Sequence, residues 1–171
     1  WQASWKISEI YLMLITTTLT VYYLPRLAEI KSAQEMKNEI FKVYRFVMPI
    51  VVAGAVTIYA LRDFIIQTLF TPDFLPMREL FSWQLTGDVI KIGAFVLAYI
   101  MLGRAMVKIF VITEIAFCAS FFLLTWVFVS KWGLQGVSIA YAVNYSVYWV
   151  CMIYLVRHET NKMQNKVEMI S

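Results

Sequence analysis

The 171 residues are poor in charge, in histidine and in any cysteine pattern. Only 15% are Asp, Glu, Lys or Arg, where soluble domains carry about a quarter. Hydrophobic residues make up 61%, against about 45–50% in soluble domains. A chain this short cannot hide such an excess in a soluble core, because a small domain needs a polar exterior. One histidine, His158, and two cysteines without paired spacing, Cys118 and Cys151, leave no metal centre or disulfide framework to read. A nucleophile elbow, a glycine-rich phosphate loop and a tract resembling an ATP site are also missing, so nothing points to catalysis or to a bound cofactor. The start, at Trp1, shows no basic n-region followed by an apolar stretch and a cleavage site. The chain reads as a portion of a longer protein. Its net charge of +4 does not imply a nucleic-acid partner, because the placement of the charges matters more than their sum.

What is abundant is long apolar runs. Five can cross a bilayer, which takes about 20 residues: roughly 7–24, 43–61, 81–102, 107–129 and 136–156. None shows the alternation of a membrane β-barrel strand, so the expected class is an all-α membrane protein. Pro25 is expected to end the first span, Pro49 lies near the start of the second, and 64–70 either extends the second or lies in the interface. Arg26, Lys31, Lys37, Lys42 and Arg45 fall between spans one and two, Arg104 and Lys108 between three and four, and Arg157, Lys162 and Lys166 in the tail. An even number of crossings separates these three regions, so they share one side. Basic residues gather on the cytoplasmic side, which makes the tail, 157–171, cytoplasmic and puts Trp1 on the far side. Trp83, Trp126 and Trp132 then mark the outer boundary, and Tyr22, Tyr23 and Tyr154 the inner one.

The cytoplasmic stretch 25–42 admits two readings. Lys31 with Glu35, and Glu39 with Lys42, have helical spacing, and Leu27, Ile30, Ala33, Met36 and Ile40 give a weak apolar face. An amphipathic surface helix facing anionic lipid is one reading; a solvated connector is the favoured one.

Charges inside the spans are the candidates for function. Asp88 and Lys91 lie one turn apart on the third span, with Asp88 five residues past Trp83 and therefore roughly 7–8 Å inside the boundary. A charge at mid-bilayer costs about 2.5–3.5 kcal/mol on insertion scales, so such residues need partners or water. Either the pair cements helices, or its face lines a wet cavity; the cavity is the expectation adopted here. Glu114, about two turns into the fourth span, is the third candidate, and a bridge to Lys91 requires stretched side chains or an intervening water. Asn144 in the fifth span and Arg62 at the far end of the second are weaker candidates, with helix packing the favoured role for Asn144. The hydroxyls of Thr16, Thr17, Thr18 and Thr20 can bond the helix's own carbonyls, and Gly54, Gly87 and Gly93 permit close helix approach. His158 is expected to be solvated.

Several stretches carry a family resemblance. "VYYLPRLAEIKS", a proline early in the next span, and "LRDFIIQTLFTPDFLPMRELFSWQLTGDVIKIGAFVLAYI" resemble the polysaccharide exporters of the multidrug/oligosaccharidyl-lipid/polysaccharide superfamily. Within it, the run F-x-W-Q-L-x-G-D-V-x-K-x-G-A, 81–94, is most similar to the Wzx-type lipid III flippase and O-antigen translocase group of enteric Gram-negative bacteria. Thr71–Pro72 departs from the superfamily pattern, where a Gly often follows "LF". The resemblance implies a twelve-helix exporter of two lobes around a central cavity, with this chain supplying five transmembrane helices, spans eight to twelve, as most of the C-terminal lobe. It implies transfer of an undecaprenyl-diphosphate-linked oligosaccharide, such as an O-antigen or enterobacterial common antigen unit. The transfer would run from the inner to the outer leaflet of the bacterial inner membrane, by alternating access. Membrane lipid, and polysaccharide polymerase and chain-length proteins, are the implied partners. On that reading Lys91 attracts the diphosphate, while Asp88 and Glu114 bond sugar hydroxyls or carry coupling protons. The alternatives are a drug/cation antiporter of the same superfamily and a non-transporting scaffold of a polysaccharide assembly complex.

Overall fold

The computed structural model describes residues 2–30, 32–69 and 78–168. Trp1, Lys31 with its expected pairing to Glu35, and the 70–77 connector with Thr71–Pro72 lie outside the described residues. Among those described there is no strand. Helix α1 spans Gln2–Thr18 and runs through a π-helical turn, Leu19–Tyr23, into α2, Leu24–Glu29. Then come α3 (Ala33–Leu69), α4 (Arg78–Gly103), α5 (Val107–Trp132) and α6 (Gln135–Glu168). Among the described residues, four stretches, Ala33–Ile65, Leu80–Gly103, Val107–Trp132 and Gln135–Asn165, are long and apolar enough to cross a membrane.

Pro25, expected to end the first span, does not end the helix. Proline has no N–H to donate, and its ring crowds the carbonyl four residues back. The chain answers by widening the preceding turn: the Leu24 N–H bonds the Leu19 carbonyl, five residues back, and the backbone stays helical from Thr18 through Leu24. The helix therefore passes the proline and stops only at Ile30, which is extended at φ −69°, ψ 126°.

The favoured solvated connector is also corrected. Within the stretch 25–42, residues 25–29 and 33–42 are helical. Ser32 accepts the Glu35 N–H at 3.1 Å and starts α3. Leu27, Ile30 and Met36 are almost wholly buried in the main core with residues of α4 and α6, so the weak apolar face packs inward against protein. Glu39 and Lys42 do pair, at 3.8 Å. Tyr23, expected at the inner boundary, is buried as well, whereas Tyr22 and Tyr154 are exposed.

Helix α4 is the centre of the bundle. It packs most extensively on α6, then on α3, and also meets α1 and α2, while α5 leans chiefly on α6. Small residues permit the closest approaches: a Cβ on Gly87 would lie 2.3 Å from the Tyr141 ring, and one on Gly103 2.6 Å from Leu27 Cβ. Gly54 is looser, 3.7 Å from Tyr11. Threonine hydroxyls fold back on their own helix, from Thr16 to Leu12 O, from Thr18 to Leu14 O and from Thr20 to Thr16 O.

Candidate functional site

Asp88 has no exposed surface. Its carboxylate accepts the Tyr141 hydroxyl at 2.9 Å, the Tyr11 hydroxyl at 3.2 Å and the Gln84 amide at 3.4 Å. Three helices converge on it, since Tyr11 belongs to α1, Gln84 to its own α4 one turn back, and Tyr141 to α6. Gly87 explains why Tyr141 can come so close: only a residue without Cβ leaves room for that ring beside α4. Asp88 is expected on a face that lines a wet cavity; its carboxylate lies in a cavity wall, enclosed by these donors. A carboxylate in an apolar bundle is tolerable when its lone pairs meet fixed donors, and the tyrosines supply them.

Lys91, one turn on, is half-buried. Its ammonium sits 5.3 Å from the Tyr145 ring centroid, 5.5 Å from Phe95 and 5.8 Å from Tyr141, all inside the range where aromatic faces attract cations. The charges of Asp88, Glu114 and Glu9 also act on it. Lys91 and Asp88 share the wall of a cavity of about 340 Å³ between α1, α4 and α6, which Glu9, Thr16, Tyr99 and Tyr141 also line. Asp88 is the sealed part of that wall and Lys91 the accessible part.

Glu114 faces a second, smaller cavity of about 210 Å³ between α5 and α6, together with Asn144, Tyr145, Tyr148 and Tyr141. Tyr148 donates a hydrogen bond to Glu114. Asn144 donates across the helix interface to the Phe117 carbonyl at 3.3 Å, the packing role expected. Its own carbonyl oxygen is buried and meets no donor among the described residues. Tyr141 belongs to both cavities. Its ring and that of Tyr145 stand beside the Lys91 ammonium on one hand and line the Glu114 cavity on the other.

The five sequence candidates therefore divide in three. Asp88 and Lys91 share one cavity, Glu114 and Asn144 the other, and Arg62 lines neither. Arg62 stacks its guanidinium 3.9 Å above the Tyr59 ring, bonds the Tyr59 carbonyl and lies 3.8 Å from Asp63. Sequence reasoning missed the tyrosines. Their signal is present, for Tyr141, Tyr145 and Tyr148 recur at i, i+4 and i+7 on one helical face, and Gln84 stands one turn before Asp88. His158, expected to be solvated, is exposed, stacked on Tyr154 and 3.9 Å from Glu159.

No protein-family model and no solved structure matches the chain. Two curated relatives do. The chain is 34% identical over 157 residues to the Lipid III flippase of Escherichia coli strain K12 and, equally, to that of Shigella flexneri. The match takes in 91% of this chain and 38% of each relative, so the chain spans well under half the length of those proteins. Similarity to them, and helices of spanning length and composition, describe a multi-pass membrane protein.

Proposed function

With similarity to lipid III flippases as the premise, we propose that this chain is the C-terminal portion of a flippase. The full protein carries an undecaprenyl-diphosphate-linked oligosaccharide from the inner to the outer leaflet of the bacterial inner membrane by alternating access. The carrying observation is 34% identity over 91% of the chain to proteins of that name. Those relatives lend nothing to the antiporter or scaffold readings. In this proposal the rod Gln2–Glu29 is a further crossing beside the four long apolar helices. The five then form most of one lobe of a twelve-helix carrier, with the basic end of the bundle in the cytoplasm. Polymerase and chain-length proteins would take over the flipped product.

The make-up of the cavity walls supports a division of work. Lys91 is the accessible cation, held over aromatic rings and ready to exchange ring faces for a diphosphate oxygen, a charge-assisted contact. Asp88, closed in by Tyr11, Tyr141 and Gln84, holds the three helices that shape the cavity and keeps a negative charge beside Lys91. Glu114 and the unsatisfied Asn144 oxygen present acceptors for sugar hydroxyls or coupling protons in the second cavity.

Full-length protein in proteoliposomes tests the proposal. Lipid-linked oligosaccharide placed in one leaflet should become accessible in the other to a membrane-impermeant oxidant. Lys91→Met should slow that appearance at least tenfold at equal protein content, since losing one charge-assisted contact costs about 1.5–3 kcal/mol. No transfer by the wild-type protein would sink the function. Unchanged transfer by the variant would remove Lys91 from it.

A further inference from the structure

A cavity larger than that of Lys91 or that of Glu114 lies away from Asp88 and Lys91. It has a volume of about 550 Å³, between α3 and α6 with α4 behind, within the about 300–1,000 Å³ of small-molecule sites. Ile40, Phe41, Leu97, Ile153 and Val156 make it apolar, while Lys37 and Arg157 stand at its polar edge beside Thr160 and Asn161. It sits at the end of the bundle where most Lys and Arg gather.

Three features point to an occupant. The first is charge. Several nearby bases have intramolecular partners: Arg26 with Glu29 at 3.1 Å, Lys42 with Glu39 at 3.8 Å, Lys162 with Glu159 at 3.1 Å and Arg104 with the Ile30 carbonyl at 3.1 Å. Among the described residues, no carboxylate lies within salt-bridge distance of Lys37 or Arg157. The second is rigidity. Tyr44, in the cavity wall, donates to the Gly93 carbonyl, accepts the Trp149 indole N–H at 3.0 Å and stacks on that indole, so one side chain ties α3, α4 and α6 together behind the cavity. The third is position. At 1.5 Å per residue α3 and α6 are each about 50 Å long, longer than the roughly 30 Å hydrocarbon layer. Both can therefore carry the cavity from hydrocarbon to head-group level.

We propose that this cavity binds an anionic phospholipid, its phosphate between Lys37 and Arg157 and one acyl chain along Ile40, Leu97, Ile153 and Val156. A basic pocket between membrane helices is chemistry suited to such head groups, and the apolar wall gives the chain a place to lie. The site is separate from the one assigned to the transported lipid, so it stands or falls independently of that assignment.

Native mass spectrometry of the detergent-purified full-length protein, titrated with phosphatidylglycerol or with phosphatidylethanolamine, tests it. Phosphatidylglycerol should bind at least tenfold tighter than the zwitterionic lipid. The double variant Lys37→Gln with Arg157→Gln should lose about tenfold or more of that affinity, its melting temperature staying that of the wild type. Ile153→Trp, which fills the groove and keeps both charges, should weaken binding of both lipids. Equal binding of the two lipids by the wild type, or undiminished phosphatidylglycerol binding by the double variant, would overturn the proposal. So would exclusion of phosphatidylglycerol by undecaprenyl diphosphate at equal concentration, which would give the groove to the polyprenyl lipid instead.

Discussion

Helices α4 and α5 have the same length, 26 residues, and both are apolar on every side, yet they occupy opposite places in the protein. Most of α4 is buried, and Trp83 is its one exposed large hydrophobic residue among those described. No residue of α5 is buried, and Phe122, Trp126, Ile112 and Ile115 project outward. In water the difference would be written in hydropathy. In a bilayer it is not, because lipid tails are as apolar as Leu and helices associate through close packing and polar contacts instead. The distinguishing text is small residues and buried polar ones. Helix α4 has Gly87, Gly93, Ala94 and Ala98 with Gln84 and Asp88, whereas the alanines of α5, Ala116 and Ala119, are exposed.

The strongest way to break this comparison is to put bulk at one small residue on each helix. Gly87→Leu drives a side chain into Tyr141, whose ring already lies 2.3 Å from an ideal Cβ, and also displaces a donor to Asp88. Overpacking of this kind typically costs about 1–3 kcal/mol or more, and the lost donor adds to it. The full-length variant should melt far below the wild type in detergent or fail to elute as a single species. Ala119→Leu on α5 should stay within about 0.5 kcal/mol of the wild type. Equal losses at both sites would mean that α5 is also covered by protein.

A sharper test exchanges one oxygen. Tyr141→Phe keeps the ring and removes the 2.9 Å donor to Asp88. A buried acceptor left short of a partner costs about 1–3 kcal/mol. Tyr154→Phe on the same helix, exposed at its ring, should change the melting temperature little. In an Asp88→Asn background the cost of Tyr141→Phe should shrink, because the carboxylate that needed the donor is gone. An undiminished cost there would mean that the hydroxyl owes its worth to a partner other than the Asp88 carboxylate.

These contrasts show what the sequence could and could not tell. The helical class followed from the long apolar runs, and Asp88, Lys91 and Glu114 stood out because charge is rare there. The interior of the bundle did not follow. Asp88 read as one half of a pair with Lys91, but it also accepts hydrogen bonds from tyrosines 77 and 53 residues away in the chain. An aromatic residue in an apolar run carries no local sign that its hydroxyl faces inward. Pro25 misled for a related reason: a local rule predicts a helix end, while burial of Leu19, Tyr23 and Leu27 on the bundle side favours continuing the helix through a widened turn. The groove beside Lys37 and Arg157 was invisible because α3 and α6 are brought together only by folding.

The smallest expected effect lies in the turn that joins the two compared helices. Glycine is the residue usually found where a chain must take positive φ, and Gly103 is available. The structure instead places Ala105 there, at φ 58°, and uses Gly103 to let α4 approach Leu27. An L-residue in that region gives up about 1–2 kcal/mol, which Ala105→Gly would recover. Glycine also gives the unfolded chain more freedom, which takes back about 0.4–1 kcal/mol. The difference leaves a gain of about 0–1.6 kcal/mol, read as a modest rise in melting temperature. Ala105→Val has only the unfavourable part, since β-branching fits positive φ poorly, and should lower it clearly. If glycine and valine moved stability equally, the left-handed turn would not be what limits the α4–α5 hairpin. The weak direct packing of α5 on α4 would then leave α6 alone to hold it in place.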